Sequence, residues 1–309
     1  MGAEHQLIDG KDNSDPPYQG ELRISEPLAG RGAVVVGGTR GVGLAVAELL
    51  GAQGAGVVVN GRDADAAAEA ARGIAGAVAF PGSPSEPALA DALIDTCIKE
   101  FGQIDILVNC AGTAGLASES ILTVTSAQFH DLLDAHLGTT FETCRAAAPK
   151  MVEQGSGSII NTSSFAVLGD YGGTGYPAGK GGVNGFTMAI AAELKEYGVR
   201  ANVVCPGAKT RLSTGTKYES HIADLHRRGL LDDASVQAAL DAPPPEYVAP
   251  TYAYLASDLA KDVTGQILIA AGNFVGRFDR PSPSLLGYRD HRDTPPWSVA
   301  DIHTMINGS

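Results

Sequence analysis

Charge is scarce in this chain, and what there is leans negative. Only 18% of the 309 residues are charged, with 35 Asp and Glu against 22 Lys and Arg, a formal net charge of −13. A surface of that sign repels nucleic acid and anionic membrane, so neither is expected as a partner. Cysteine is sparse too. Cys97, Cys110, Cys144 and Cys205 fall in no CxxC or paired spacing, which fits a reduced compartment and gives no reason to expect a metal. The opening MGAEHQLIDG has neither the cationic nor the apolar region of a signal peptide, and no run reaches membrane-spanning length. A cytoplasmic protein is expected. No internal repeat is present. What the chain does have is 44% hydrophobic residues and 39 glycines, enough for a large core with tight turns and closely packed helices. Its length suits one large α/β domain with arms.

Residues 1–27 are polar, with Pro16, Pro17 and Pro27, and read as an N-terminal arm. Beyond them apolar strands alternate with helical stretches. Strands are predicted over 33–36, 57–59, 77–80, 104–108, 158–162, 200–205 and 266–270. Helices are predicted from Leu44 to the stop at Gly54, then over 63–72, 86–101, 125–153, 176–197 and 246–257. Uniformly apolar strands alternating with helices imply a parallel sheet covered on both faces. Residues 211–245 break the rhythm with charged, weakly periodic sequence. The segment 273–309, rich in Arg, Asp and Pro, reads as a draped C-terminal extension.

The first strand runs into GGTRGVG, residues 37–43. Gly37, Gly41 and Gly43, with Thr39, Arg40 and Val42 among them, sit at a strand-to-helix junction. There glycine lets the backbone turn sharply and approach a pyrophosphate, whose charge meets free N–H groups at the helix start. Glycines at a junction also serve simply as turns. The second strand ends Asn60-Gly61-Arg62, without the acid that would bind a ribose 2′-hydroxyl. Arg62 and Arg40 suit a 2′-phosphate, so NADP is favoured over NAD. Asp63 stands close by, and both arginines also suit a solvated surface. Asn109-Cys110-Ala111-Gly112 follows the fourth strand with small residues beside which a nucleotide can lie. Ser163 and Ser164 end the fifth strand. Tyr176 and Lys180, four apart behind Pro177, share one helical face, a spacing that also occurs in ordinary surface pairs.

Taken together and in this order, these motifs over residues 28–272 resemble the short-chain dehydrogenase/reductase family. The resemblance implies a Rossmann-like, doubly wound α/β domain with a seven-stranded parallel sheet, helices on both faces and a nicotinamide cofactor. It casts Tyr176 as general acid/base, Lys180 as its electrostatic helper and ribose ligand, and Ser164 as the donor to the substrate oxygen. Pro206-Gly207 matches the turn beneath the nicotinamide, with Thr210 as a carboxamide contact, and 211–245 matches the substrate loop. Three departures stand out. Asn109-Cys110 replaces paired asparagines, Ser83 stands where an aspartate often meets adenine, and His136 occupies the slot usually held by asparagine. An imidazole there suits either a proton relay or helix packing. The long helices 125–153 and 176–197 resemble the family's subunit-packing pair, so a homodimer or homotetramer is expected; internal packing is the other reading.

The chemistry implied is interconversion of a ketone and a secondary alcohol, with a small-molecule carbonyl or alcohol as substrate. An ammonium about 4 Å from the phenol, at an effective dielectric near 20, is worth about 4 kcal/mol, enough to bring tyrosine from about 10 to about 7. The segments Ala135-His136-Leu137, 160–164 and 245–250 resemble more particularly the 3-hydroxyacyl-CoA dehydrogenase domain of peroxisomal-type multifunctional enzymes and bacterial relatives. That suggests a 3-ketoacyl thioester, although that branch generally prefers NAD. Lys217, His221, Arg227 and Arg228 in the substrate loop suit either a ligand or a solvated face. A non-catalytic dinucleotide sensor or scaffold, and a lyase or epimerase on the same fold, are the rival functions.

Overall fold

A computed structural model describes residues 27–113, 120–171, 173–272 and 274–308. Apart from Pro27, the expected N-terminal arm lies outside the described residues. The apolar runs form β1 (Gly32–Val36), β2 (Gly56–Gly61), β3 (Val78–Pro81), β4 (Ile106–Asn109), β5 (Gly157–Thr162), β6 (Val199–Pro206) and β7 (Ile267–Ala271). These seven are parallel, as expected. An eighth strand, β8 (Phe274–Phe278), comes from the segment read as draped extension. It pairs antiparallel with β7, Ala271 opposite Phe274 and Ile267 opposite Phe278. The strand order is β3-β2-β1-β4-β5-β6-β7-β8.

Alternate residues of each central strand feed two cores. Val35, Val57, Val59 and Val108 face α1 (Gly41–Ala52) and α9 (Ala249–Ala256), which contribute Leu50, Tyr252 and Leu255. Val34, Val36, Val58, Leu107 and Ile159 pack with residues of α3 (Pro87–Phe101), α5 (Thr139–Gln154) and α6 (Gly175–Leu194), among them Leu93, Ile94, Met151 and Leu194. A strand buried on both faces has no polar side to alternate, which is why these segments read as continuous apolar runs. Helix α2 (Ala64–Arg72) packs Ala70 and Ala71 on the first core.

Two helical expectations need correcting. The stretch 125–153 is not one regular helix. Thr125 and Gln128 form a capping box that starts α4 (Ser126–Leu133), and the backbone then widens into a π turn over Asp134–Gly138 before α5. Thr140 Oγ1 donates to the His136 carbonyl at 2.7 Å, adding a side-chain donor within the widened turn. Residues 211–245 contain two helices, α7 (Thr216–Arg227) and α8 (Asp233–Leu240). Ile222, Leu225 and Leu231 are buried there in a small cluster of their own with Tyr171 and Tyr218. The chain ends in α10 (Val299–Asn307), capped by Ser298.

Candidate active site

The strand order reverses between β1 and β4, and ligands of open α/β sheets bind outside the carboxyl ends of such strands. After β1, Gly37 takes φ +76°, and a Cβ on it would meet the Ala111 backbone at 2.7 Å. The two loops close on each other only because that side chain is missing. A Cβ on Gly43 would fall 2.1 Å from the Gly37 carbonyl oxygen. Helix α1 opens at Gly41 with Arg40 in the capping position, no side-chain cap and no acid in its first turn. Asp63, Thr125 and Asp232, by contrast, cap α2, α4 and α8. The first-turn N–H groups of α1 are therefore available to an anion, and this cradle fits a dinucleotide pyrophosphate. Val42 turns its side chain into the core, so it offers backbone only. Thr210 reaches the same helix end, its Cγ2 3.5 Å from where a Gly41 Cβ would be; its hydroxyl accepts from Leu212 N–H.

At the end of β2, a Cβ on Gly61 would strike Thr39 Cγ2 at 2.3 Å, so this position has no room for a carboxylate side chain. The neighbouring acid, Asp63, is engaged elsewhere: its Oδ1 accepts from Ala66 N–H at 2.9 Å. Arg40 and Arg62 are both exposed. Asn109 differs from expectation. Its amide is buried, donating to Asn161 Oδ1 at 2.9 Å and accepting from Thr143 Oγ1 at 2.8 Å. The side chain is a strut between β4, β5 and α5, and only its backbone is left to offer a ligand. Ser83 bonds Ser85 at 3.0 Å. At the turn after β6, Pro206 leads into Gly207, whose N–H reaches the Ala270 carbonyl at 2.8 Å. A Cβ there would collide with Ala271 at 2.7 Å.

Strand β5 delivers the two serines in different roles. Ser163 Oγ donates to the Lys180 carbonyl at 3.2 Å and is buried. Ser164 Oγ accepts from Ala166 N–H at 3.2 Å and lies near enough to the Tyr176 phenol to influence its pKa. Pro177 sits in the first turn of α6, putting Tyr176 and Lys180 one turn apart. Lys180 is 5% exposed and donates from Nζ to the Thr162 carbonyl at 2.8 Å. Burial lowers its pKa to about 8, against the nearby Cys110 and Cys205 thiols, which raise it. The expectation of an acidic phenol is not met. Burial pushes Tyr176 above the ordinary tyrosine range, the Ser164 hydroxyl pulls it partly back, and Cys205 adds to the rise. The lysine's bond runs to Thr162, and its charge is not among the influences on the phenol, which desolvation dominates.

His136 lies in the π turn, 1% exposed, its ring edge-on to Tyr176 with centroids 5.0 Å apart. Its Nε2 meets the Thr113 carbonyl at 2.9 Å. Burial first, then the Lys180 charge, lowers its pKa to about 3, while the Thr113 bond works the other way. The imidazole is therefore neutral at physiological pH. Over the substrate side, the segment carrying α7 and α8 is tied down by His221 Nε2 and the Tyr171 carbonyl, 2.8 Å apart. Arg227 and Arg228 both pair with Asp224. Phe165, next to Ser164, packs edge-on against Phe278 of β8, centroids 5.8 Å apart.

A glycine cradle, a strand-end serine, a half-buried tyrosine and a buried lysine thus meet at the carboxyl ends of the central strands. The model of the short chain dehydrogenase family matches residues 31–219. The chain belongs to that family. Among relatives, it is 35% identical over 245 residues to the short-chain reductase protein NovJ of Streptomyces niveus, covering 78% of this chain and 92% of NovJ. It is 34% identical over 252 residues to a 3alpha-hydroxysteroid dehydrogenase of Mediterraneibacter gnavus, 79% of this chain and 97% of that protein. A short chain dehydrogenase from Mycobacterium avium has the same fold, with TM-score 0.74 and 29% identity, covering 91% of this chain and 95% of that one. Membership makes this chain an oxidoreductase acting on CH–OH or C=O groups of small molecules, with NAD(P) as cofactor. Among the described residues, no helix is long and apolar enough to cross a membrane.

Several residues that shape the site carry no motif. Thr113 sets the proton of His136, Thr140 occupies its carbonyl, and Gly179 makes room for it, a Cβ there falling 3.2 Å from His136 Cβ. Tyr252, fully buried in α9, bonds Thr162 Oγ1 at 3.0 Å from below the strand. The fourfold spacing of His136 and Thr140 is visible in the sequence; the other contacts join distant segments.

Proposed function

We propose that this chain is an NADPH-dependent reductase that converts a ketone to a secondary alcohol. The observation that carries the reading is a Ser164 hydroxyl close enough to act on the Tyr176 phenol, which burial keeps protonated. Ser164 takes the Ala166 N–H on a lone pair, so its own O–H is left to donate. A substrate carbonyl oxygen seated between Ser164 and Tyr176 accepts from both hydroxyls, and Tyr176 gives up its proton as the oxygen becomes an alkoxide. A raised phenol pKa suits this direction, because the residue must arrive protonated. Lys180 stands behind as the nearby cation that stabilises the phenolate so formed. The Gly37–Gly43 cradle would hold the pyrophosphate of a nicotinamide dinucleotide, which when bound would supply hydride to the carbonyl carbon.

NADPH over NADH is supported by the absence of room for an acid at Gly61, by the engagement of Asp63 in capping, and by the exposed Arg40 and Arg62. For the substrate, the reading stops at a ketone. Of the four substrate-loop side chains that suited either a ligand or a solvated face, His221 is engaged with Tyr171 and both arginines with Asp224. A homodimer or homotetramer through α4, α5 and α6 is supported by an apolar groove lined by Leu133, Leu137, Phe141 and Phe186, with Phe141 45% exposed. Four free cysteines support a cytoplasmic setting.

The test is a panel of ketones followed at the reduced-nicotinamide absorbance with NADPH and NADH in parallel. Turnover with NADPH is expected, and Tyr176→Phe should lose about 100-fold or more of it while still binding NADPH in a fluorescence titration. Full activity in that variant refutes the role of the phenol. Inactivity of the wild type across the panel points instead to a dinucleotide sensor.

A further inference from the structure

Tyr252 brings a hydroxyl into a core of aliphatic side chains. It is fully buried on α9, in the same cluster as Val204, Val248 and Leu255. Burying a phenol is costly unless its O–H is bonded, and here it meets Thr162 Oγ1 at 3.0 Å. Thr162 Oγ1 in turn lies 3.4 Å from Cys110 Sγ. Asn109 is registered opposite Asn161 in the β4–β5 ladder, so Cys110 and Thr162 follow side by side and turn to the same face. Each of the three groups can both donate and accept. Phenol, hydroxyl and thiol therefore make a chain from α9 across the end of β5 to the loop after β4. Beyond the thiol the chain abuts the glycine cradle, where a Cβ on Gly43 would fall 3.2 Å from Cys110 Cβ.

Thr162 is the pivot of this chain. Its side chain is held on the α9 face of the sheet, while its carbonyl takes the Lys180 ammonium at 2.8 Å from α6, which packs on the other face. Strand β5 ends at this residue, so its side chain is the last anchor on the α9 side before the backbone leaves the sheet. We propose that Tyr252 is a positioning residue for the reaction: through Thr162, its hydroxyl holds the strand-end carbonyl against which the Lys180 ammonium is set. This rests on the reading of Lys180 as the cation behind Tyr176. The titratable groups facing Lys180 are Cys110 after β4, Cys205 on β6 and His136 in the π turn, with Tyr176 one turn away on α6 itself.

The experiment follows the Lys180 side-chain nitrogen by NMR through a pH titration of the whole protein with labelled lysine, where no turnover is needed. Tyr252→Phe keeps the ring in the core and removes only the hydroxyl. It should lower the Lys180 midpoint by about half a unit to one unit, because a loosened carbonyl stabilises the ammonium less. Thr162→Val should do the same, and carries the test if Tyr252→Phe does not fold. Combining the two should lower the midpoint no further than either alone, since both break one link. Thr162→Ser, which keeps the hydroxyl, should leave the midpoint in place. Turnover of Tyr252→Phe should fall by about 3- to 10-fold, the rate equivalent of that shift, with KM for the ketone unchanged. An unmoved midpoint in folded Tyr252→Phe overturns the proposal and makes the hydroxyl a packing feature, as does a double variant whose shift is the sum of the singles. A moved midpoint with unchanged turnover keeps the proposal and overturns the reading of Lys180 as the helper of Tyr176.

Discussion

Replacing Lys180 by methionine should do two opposite things: abolish turnover and change how stability depends on pH. The amine is buried and its pKa falls from 10.5 to about 8. That gap of about 2.5 units corresponds to about 3 kcal/mol of differential interaction. Between pH 8 and 10.5 the unfolded chain holds a proton here that the folded chain has released, so stability climbs with pH across this window. Below pH 8 both states are protonated and the whole penalty stands; above 10.5 it has gone. Methionine removes the penalty and with it the bond to the Thr162 carbonyl, a loss of about 1–3 kcal/mol. At pH 7 the variant should therefore match or exceed the wild type by up to about 2 kcal/mol. The difference between the two should then swing by about 3 kcal/mol toward the wild type as pH approaches 10.5. Burial pushes the Cys110 and Cys205 thiols up, Cys205 to about 11, so they oppose this rise between pH 9 and 11, but both proteins carry them and they cancel in the difference. Urea unfolding at pH 7, 8, 9 and 10 measures the difference directly. A difference that stays flat from pH 7 to 10 refutes the lowered pKa and the burial argument with it.

The cofactor reading separates two adjacent residues. Arg62→Asp should reduce the NADPH-to-NADH preference by about 10- to 100-fold, the worth of one charge-assisted phosphate contact. Asp63→Ala should cost about 1 kcal/mol of stability through the lost helix cap and leave that preference unchanged; a changed preference would make Asp63 a ribose ligand. Thr143→Val leaves Asn109 Oδ1 without its donor and should cost about 1–3 kcal/mol in denaturant unfolding, with no change meaning the strut is dispensable. Phe141→Asp should lower the molar mass seen in sedimentation at fixed concentration, and an unchanged mass would remove this face from any subunit contact.

The order of the sheet was legible because fully buried parallel strands leave a mark that needs no partner to be read: runs such as GAVVV and VRANVVCP between glycine stops. Ser164, Tyr176 and Lys180 were legible as a set because each follows or faces the same strand end. What stayed hidden depends on contacts between distant segments. Helical periodicity over 125–153 does not reveal that the turn at His136 is widened, since the residues on either side remain good helix formers. Asn109 looks like a loop residue until Asn161 and Thr143 are brought to it. Phe274–Phe278 is too short and too mixed, as FVGRF, to announce a strand. The acidity expected of Tyr176 failed for a related reason: sequence spacing gives a neighbour's charge but not the depth at which both groups are buried.

The added eighth strand joins two parts of the molecule that otherwise have no business with each other. A wound sheet ending on β7 would leave a row of amide groups open along its flank, and the returning hairpin hems that flank without needing a crossover helix. The hem is stitched inward by Phe278, whose ring rests on the residue immediately after Ser164. A nick, a fusion or a trimmed tail at this outer margin would therefore be felt beside Ser164, the hydroxyl proposed to orient the carbonyl, from a segment that no reading of the reactive groups alone would connect to it.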